Sequence, residues 1–395
     1  MKILFISHMY PRKNRDNYGM FVSEQIRAML EIKGGFRASV FSPVQYSPWP
    51  LFKISPKWKQ YRETEKTRID FKEVPVTFPR YLCLPRKILR SLAGWSCYLA
   101  ITRSKEMKKI VNEADLIVAH TALFDGWVAK IIAKKYKKKY MVFIHGEDIF
   151  QNTFGPRNYF RKNNIKRILY GSEKVITVSS YMKRVISDAY EIEEKIEVLH
   201  NGVDLSLFKA EDRTYTKKIK TISAGFLIPR KANEYVLKSL AKVRKVGIDF
   251  EHTIAGDGPE KQKLEGLAKD LEIGDRVNFI GPYEHKKFPQ ILSKQDIFIL
   301  PSWDEAFGVV YIEAMAMGLP VIAANDAGAV DIINDGKDGY LVMPRKVKDI
   351  SDAIIKYQAL SPEEKEKMSI NALKKSEAFT WKKNAENLAK IIGTI

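Results

Sequence analysis

Short apolar runs alternate with longer amphipathic stretches along most of the chain. Runs such as KILFIS, ADLIVAH, KVITVSS and DIFILPS are rich in β-branched residues and end at Pro, Ser or His. Polar residues do not alternate within them, so the runs predict strands that are buried on both faces, as in a parallel sheet. Loops and predicted helices follow many of these runs, and this order indicates an α/β fold.

The stretch 296–323 shows this order most plainly. DIFILPS predicts a strand that ends at Pro301, the loop WDEAFG follows, and VVYIEAMAM predicts a helix that ends at Gly318. In a strand–loop–helix unit the helix N-terminus faces the crevice beyond the strand ends. Backbone amides at 307–309 would therefore form an anion site, strengthened by the helix dipole.

Two carboxylates, Glu305 and Glu313, flank this anion site. A carboxylate repels a phosphate, so each glutamate is better suited to accept hydrogen bonds from hydroxyl groups on either side of it. The alternative is a strand–helix unit without a ligand site, with one glutamate before the helix and the other on its solvent-exposed face.

Two elements of the N-terminal half also place candidate residues at strand ends. A loop containing Gly19 joins the first strand to a helix predicted from about Val22, although a simple turn glycine explains it nearly as well. Arg12, Lys13 and Arg15 in that loop are candidates for acceptor contacts. His145 follows the strand KYMVFI, so its side chain is expected to point into the ligand crevice at the strand end. The alternative is that His145 has only a structural role.

The stretch Leu84–Ile110 predicts one helix, because apolar residues recur near helical spacing. Ile88, Leu89, Leu92, Trp95 and Leu99 form its apolar face, and Arg86, Lys87, Arg90 and Arg103 lie among them. Two interpretations stay open: a helix packed on the N-terminal domain, or a basic amphipathic surface that docks on lipid.

Length, apolar runs and cysteine content indicate the number of domains and the expected location of the protein. The 395 residues suit two domains of ordinary size. The apolar run at the N-terminus is too short for a signal peptide, and no run approaches the ~18 residues of a membrane span. The two cysteines, Cys83 and Cys97, predict neither a disulfide framework nor a metal site, so the expected location is cytoplasmic.

The net charge of +20 is concentrated in the N-terminal half. Residues 1–200 carry 37 basic and 19 acidic side chains, a net charge of +18, whereas 201–395 carry 30 and 28. This asymmetry predicts an anionic partner for the N-terminal half. Nucleic acid is not expected, because no nucleic-acid-binding signature is present. An anionic membrane surface or a phosphate-bearing acceptor fits better.

The motif PS-x-x-E-x-F-G-x-x-x-x-E-A-M-A-x-G-x-P-V-I-A over 301–323 resembles the donor site of the retaining glycosyltransferases of sequence family 4. The resemblance implies the GT-B fold, with two Rossmann-like doubly wound domains facing across a cleft. It implies that Glu305 contacts the donor sugar, that the loop amides hold the diphosphate, and that Glu313 holds the ribose. Domain boundaries are then expected at 1–204, completed by a C-terminal helix at about 380–395, and at 205–379.

Further matches extend the resemblance over nearly all of the chain outside 42–110. They assign Gly19 to the N-domain glycine loop, His145 to a histidine that contacts the donor sugar, and Asp331 to an acidic position. The phosphate loop departs from the family pattern G-R-L-x-x-x-K-G: Lys231 matches, but Phe226 replaces the arginine and Ala232 the last glycine. The neighbouring Arg230 is a candidate substitute for that arginine.

The resemblance therefore predicts a metal-independent, retaining hexosyltransferase that moves a sugar from a nucleotide-diphosphate sugar to a glycan or lipid-linked acceptor, peripheral to the inner membrane face. No D-x-D triplet occurs, so neither a metal nor a further cofactor is expected. A sugar-nucleotide epimerase, a phosphorylase and a non-catalytic binding protein stay open as alternatives. The residues expected to be catalytic are His145, Lys231 and Glu305. The residues expected to bind the donor are Gly19, Gly225, Arg230, Lys231, Gly256, Pro282, Tyr283, Glu305, Ala306, Phe307, Gly308, Val309 and Glu313.

Overall fold

The computed structural model describes residues 1–13, 18–32, 34–46, 53, 56–82, 90–146, 149, 156–210 and 213–395. Packing divides the chain into two compact units. Unit 1 comprises Met1–Val178, Met182–His200 and Asn384–Ile395, and unit 2 comprises Ser179–Tyr181 and Asn201–Lys383. The boundaries predicted from the sequence were 204/205 and about 380.

The strands of unit 1 are β1 (Lys2–Ile6), β2 (Arg37–Phe41), β3 (Val44–Gln45), β4 (Thr67–Asp70), β5 (Val74–Thr77), β6 (Arg80–Tyr81), β7 (Leu116–Ala119), β8 (Lys139–Ile144), β9 (Val175–Thr177) and β10 (Ile196–Val198). Eight of them form one sheet in the order β10-β9-β8-β7-β1-β2-β5-β4. Its pairs are parallel except β4 with β5, and β3 pairs with β6 in a separate two-stranded sheet. The strand order reverses at β1, between β7 and β2, and ligands bind at such a switch point in open parallel sheets.

Helices of the N-terminal half, among them Asp125–Tyr136, pack on this sheet. The helices of this half are Met20–Glu31, Pro56–Glu63, Arg90–Arg103, Lys105–Glu113, Asp125–Tyr136, Pro156–Gly171 and Ser180–Tyr190. The last helix of the chain, Trp381–Ile392, begins in unit 2 and belongs to unit 1 from Asn384, where Gln25 Nε2 donates to Asn384 Oδ1 at 2.8 Å.

The single helix predicted over Leu84–Ile110 is wrong. The structure divides it at Ser104, whose side chain accepts a hydrogen bond from the amide of Met107 at 3.3 Å and thereby caps a new helix. Arg86 and Lys87, like Arg15 and Cys83, lie outside the described residues, as does the side chain of Arg90.

The predicted apolar face of this region is also wrong where it can be checked. Trp95 and Leu99 are 47% and 41% exposed, whereas Cys97 and Ile101 are fully buried. Ile88 and Leu89 lie outside the described residues, and so does the Leu92 side chain. The helix packs through a neighbouring stripe, which leaves Trp95 and Leu99 half-exposed, with the Trp95 ring against that of Trp127.

The strands of unit 2 are β11 (Ile219–Ala224), β12 (Phe250–Ala255), β13 (Val277–Gly281), β14 (Ile297–Leu300), β15 (Val321–Ala324) and β16 (Gly339–Val342). They form a fully parallel sheet in the order β13-β12-β11-β14-β15-β16. The helices are Asn233–Lys245, Lys261–Asp270, Phe288–Leu292, Val309–Ala316, Val347–Ala359 and Pro362–Ser376. The strand order reverses between β11 and β14, so a crevice forms at their carboxyl ends.

These two sheets confirm the predicted α/β class with two Rossmann-like domains. The strand interiors β1, β7, β14 and β15 are almost completely buried, as their continuous apolar runs require. Among the described residues, no helix combines the length and the apolar character that a membrane span needs.

Candidate functional site

The candidate site of unit 2 lies at the carboxyl ends of β11 and β14, where the strand order reverses. The loop after β11 carries Arg230 and Lys231, and the loop after β14 carries Glu305. A backbone hydrogen bond from Trp303 N to Arg230 O, at 3.2 Å, joins the two loops. This bond fixes the basic residues of one loop beside the acidic residue of the other.

Two cations converge on one carboxylate in this crevice. Lys231 Nζ lies 2.6 Å from Glu305 Oε2, and Arg230 Nη1 lies 3.8 Å from the same oxygen. The Lys231 and Glu305 side chains are 14% and 12% exposed, whereas that of Arg230 is 40% exposed. Burial raises the pKa of Glu305, but the Lys231 charge and hydrogen bond, with Arg230 beyond, bring that pKa below its ordinary value.

Gly308 begins the helix Val309–Ala316 in a left-handed conformation, with φ 88° and ψ 68°. A Cβ there would lie 2.3 Å from the Tyr311 ring, so both the conformation and the space require glycine. The N-cap residue is this glycine, so it contributes no side-chain cap of its own. Its first-turn amides thus face the carboxyl edge of the sheet, which is the arrangement that binds anions.

Ala306 and Phe307 contribute to this loop through their backbone. Both side chains are buried, and the Phe307 ring packs 5.9 Å from that of Phe379. The Ala306 carbonyl accepts a hydrogen bond from Ser179 Oγ at 2.5 Å, and the Glu305 carbonyl accepts one from Gly328 N at 2.8 Å. These bonds hold the loop between β14 and the helix in one shape.

Glu313 lies one helical turn beyond the anion site and is only 8% exposed. Its Oε1 lies 2.7 Å from His285 Nε2. The Glu313 charge adds to burial in raising the pKa of Tyr283, which stacks on Phe288 with centroids 4.5 Å apart. The structure therefore brings Glu313 together with the loop after β13 that holds Pro282 and Tyr283.

The loops that follow β11, β12 and β13 are joined in strand order. Gly225 N donates to Ala255 O at 2.9 Å, and Gly256 N donates to Gly281 O at 2.8 Å. A Cβ on Gly256 would lie 1.9 Å from the Gly225 carbonyl oxygen, so the close approach of these loops requires glycine. A Cβ on Gly225 would contact Lys231 Cε at 3.7 Å, which places Gly225 against the lysine.

The two departures from the phosphate-loop pattern have visible consequences. Ala232 adopts a left-handed φ of 59°, a conformation that favours the glycine it replaces. Phe226, at the position of the missing arginine, is 61% exposed and provides no positive charge. Arg230 lies at the other end of the same loop, with its Nη1 3.8 Å from Glu305 Oε2.

Unit 1 places Gly19 and His145 near each other at the carboxyl edge of its sheet. Gly19 precedes the helix Met20–Glu31, and the ring of Phe21 lies 4.5 Å from that of His145. Burial lowers the pKa of His145 to about 3. Glu147 and Asp148, which complete the H-G-E-D element, lie outside the described residues.

The sequence did not single out His120 or His285 as functional residues. It placed Asp331 at an acidic position of the family motif without a role. His285 contacts Glu313, and His120 Nδ1 lies 3.2 Å from His145 Nε2. Each of the two follows a predicted strand, which is the one signal that could have drawn attention to them. Asp331 accepts hydrogen bonds from the amide and hydroxyl of Ser180, the former at 2.7 Å, so its carboxylate has a structural part in unit 2.

Comparison with known proteins gives matches over most of the chain. Residues 206–375 match the model for glycosyl transferases group 1, and 52–207 match that for glycosyltransferase family 4. The putative teichuronic acid biosynthesis glycosyltransferase TuaC of Bacillus subtilis (strain 168) is 26% identical over 371 residues, which cover 91% of this chain and 89% of the relative. An uncharacterized glycosyltransferase of Methanocaldococcus jannaschii is 26% identical over 281 residues, 70% of this chain and 74% of the relative.

A solved structure supports the same fold. HepE of Anabaena, in complex with UDP and glucose, superposes with a TM-score of 0.71 at 20% identity, over 100% of both chains.

Proposed function

The chain belongs to the glycosyltransferases of group 1 and family 4, with the GT-B fold, and we propose that it transfers a hexosyl group from a nucleoside-diphosphate sugar to an acceptor hydroxyl with retention of configuration. The observation that carries the proposal is the convergence of Lys231 and Arg230 on Glu305, at 2.6 and 3.8 Å, beside the helix N-terminus at Gly308. Positive charge and the amides of a helix N-terminus suit a diphosphate, and a nearby carboxylate suits sugar hydroxyls.

In the proposed reaction the bond between the anomeric carbon and the β-phosphate oxygen breaks, and its electron pair leaves with the nucleoside diphosphate. The acceptor hydroxyl oxygen attacks from the same face, and its proton passes to an oxygen of the departing phosphate. Lys231, Arg230 and the helix amides stabilise the negative charge that grows on the diphosphate. We propose that these fixed cations make a divalent metal or other cofactor unnecessary.

Glu313 is proposed to accept hydrogen bonds from the ribose hydroxyls of the donor. It is 8% exposed and its Oε1 has His285 Nε2 2.7 Å away, so its position is fixed before the nucleotide binds. Pro282 and Tyr283, which follow β13, are proposed to border the base. Gly225 and Gly256 would then let the backbone approach the phosphates closely. Gly19 and His145 of unit 1 are proposed to approach the donor sugar.

The acceptor is proposed to be a glycan or a lipid-linked precursor at the cytoplasmic membrane face. Residues 1–200 carry a net charge of +18, and an anionic leaflet attracts such a surface. The helix Arg90–Arg103 also presents two apolar side chains, Trp95 and Leu99, which are 47% and 41% exposed. Aromatic and aliphatic side chains among basic residues favour peripheral attachment to a bilayer.

Product analysis tests this function. The purified chain is incubated with UDP- and GDP-sugars and simple alkyl glycoside acceptors, and the products are followed by proton NMR. We expect release of nucleoside diphosphate and a new glycoside with the anomeric configuration of the donor. A nucleotide sugar with changed stereochemistry and no released diphosphate would indicate an epimerase, and inverted products would contradict retention.

A further inference from the structure

His120 and His145 are each the first residue after one of two neighbouring parallel strands. His120 follows β7 and His145 follows β8, and the pairing of Ala119 with Val142 places His145 two residues beyond the level of His120. His120 Nδ1 lies 3.2 Å from His145 Nε2, and the two rings are nearly parallel, with centroids 5.5 Å apart and an interplanar angle of 8°. The N···N distance and the shared edge of the sheet indicate a hydrogen bond between the two imidazoles.

Both rings are neutral at physiological pH. His120 is fully buried, next to the rings of Phe5 and Phe143. Burial lowers its pKa well below the ordinary value, and His145 lowers it further. Burial likewise lowers the pKa of His145 to about 3. One proton is therefore shared between the two facing nitrogens, and one of the rings must be the donor.

The surroundings of His120 Nε2 decide which ring donates. This nitrogen is buried and has no hydrogen-bond partner among the described residues. If His145 were the donor, His120 would carry its own proton on Nε2, as a buried N–H without an acceptor. If His120 donates from Nδ1, only a lone pair on Nε2 is left unpaired. In proteins, a buried N–H without an acceptor is rarer than a buried acceptor without a donor, so donation by His120 is favoured.

We propose that His120 is a positioning residue that fixes His145 as its Nδ1–H tautomer, so that His145 presents an N–H donor to an oxygen of the bound sugar. The hydrogen bond made by one ring nitrogen sets the protonation of the other, which is how a neighbour selects a tautomer. In this form His145 offers a proton to a hydroxyl or ring oxygen and offers no lone pair to a cation. The identity of that oxygen rests on the proposed function; the tautomer itself does not.

The tautomer can be measured without any substrate. The full-length chain is labelled with 15N-histidine, and long-range proton–nitrogen spectra are recorded at pH 7. The chain has 6 histidines, so a His145→Asn spectrum identifies the His145 signals. We expect the Nδ1–H pattern for His145 in the wild type. A dominant Nε2–H pattern would overturn the proposal.

Two substitutions at His120 separate positioning from packing. His120→Phe keeps an aromatic ring but removes the donor, so His145 should revert to the Nε2–H pattern. His120→Asn places an amide N–H near the former Nδ1 and should preserve the Nδ1–H pattern. His252, a buried histidine of unit 2 that lies 2.7 Å from Thr221 Oγ1, is the internal reference and should not change. An unchanged His145 pattern in His120→Phe, or a lost one in a folded His120→Asn, would overturn the proposal.

Turnover of the preferred nucleotide sugar provides a second readout. We expect kcat/KM to fall about three- to tenfold in His120→Phe, as the loss of one oriented hydrogen bond predicts, and less than about twofold in His120→Asn. If no nucleotide sugar is turned over, the proposed function fails while the spectra still decide the tautomer. If turnover occurs but the wild-type spectrum shows Nε2–H, the proposed function stands and the part given to His120 is wrong. The wild-type spectrum decides the matter even where His120→Phe does not fold.

Discussion

Lys231 Nζ lies 2.6 Å from Glu305 Oε2, although the two residues follow different strands of the unit 2 sheet. Burial raises the pKa of Glu305, and the Lys231 and Arg230 charges more than reverse that effect, so the pKa lies below its ordinary value. A carboxyl with a lowered pKa stabilises the fold above its unfolded pKa of about 4.3, and the stabilisation is lost as the pH falls through the folded-state pKa.

Replacing Glu305 with Gln should therefore make the melting temperature depend less on pH between neutral and acidic pH. We expect the difference in melting temperature between wild type and Glu305→Gln to be largest near neutral pH and to shrink below about pH 4.3. Melting temperatures from pH 3 to pH 7 check this expectation, with Glu284→Gln, an exposed residue of the same unit, as control. A constant difference over the whole range would show that the Glu305 charge does not stabilise the fold.

Arg230 should act as the second cation for the diphosphate, in place of the arginine that is missing at Phe226. Arg230→Gln should weaken binding of UDP or GDP by about 10- to 100-fold, because a hydrogen bond to a charged group contributes about 1.5–3 kcal/mol. Binding of UMP or GMP should change much less. Isothermal titration measures both.

A compensating substitution makes this test specific. The double variant Arg230→Gln/Phe226→Arg should regain much of the lost affinity, since Phe226 is 61% exposed and already lies in the same loop. Arg244→Gln, at the C-terminal end of the helix Asn233–Lys245, removes an arginine whose Nη1 lies 3.7 Å from Asp275 Oδ1 and should have no effect. Equal loss for mono- and diphosphates would contradict the assignment.

Glu313 and Glu305 should affect different parts of the donor. Glu313→Ala should weaken binding of the free nucleoside diphosphate, because two ribose hydroxyls lose a charged acceptor worth about 1.5–3 kcal/mol for each bond. Glu305→Ala should spare the free nucleotide, since it leaves Lys231 and Arg230 without a competing carboxylate, and should impair turnover of the sugar-bearing donor. Glu284→Ala, in the loop beside His285, is the control. Equal weakening of both ligands by both substitutions would refute this division.

The charge of the N-terminal half predicts reversible binding to anionic vesicles. Each basic residue near an anionic bilayer contributes about 1 kcal/mol, and the attraction weakens as salt shortens the Debye length from ~10 Å at 0.1 M. Replacing Arg86, Lys87 and Arg90 with Gln should reduce binding, and so should Leu99→Gln. Replacing Lys242, Lys245 and Lys269 of unit 2 removes the same charge and should not. Cosedimentation that is equal for neutral and anionic vesicles, or absent for both, would remove the membrane proposal.

Much of the fold followed from the sequence because its strands are buried on both faces. The predicted strand at 296–302 and helix at 309–317 correspond to Ile297–Leu300 and Val309–Ala316. The break at Ser104 did not follow, because the apolar spacing continues across it and only a capping hydrogen bond ends the helix. The exposure of Trp95 and Leu99 did not follow either, because the helix packs through the stripe that contains Cys97 and Ile101.

The candidate site could be predicted only as far as local motifs reach. The loop amides and the two glutamates lie in one continuous stretch, so an anion site flanked by two carboxylates could be predicted from the motif alone. The partners of Glu313 and His145 were not, since His285 and His120 are 28 and 25 residues away in the chain and meet them only through the parallel strand order. The approach of Arg230 to Glu305 likewise depends on how one loop folds against the other.

The release of nucleoside diphosphate from a panel of UDP- and GDP-sugars, with and without EDTA, tests the central claim most directly. We expect at least one donor to be consumed at a rate that EDTA does not change, and Lys231→Gln to lower that rate by about 100-fold or more, because charge grows on the diphosphate as the bond breaks. Lys238→Gln, which removes a lysine from the neighbouring helix where it pairs with Glu234, should keep the wild-type rate. No consumption of any donor, loss of the rate in EDTA, or full activity of Lys231→Gln would contradict the account.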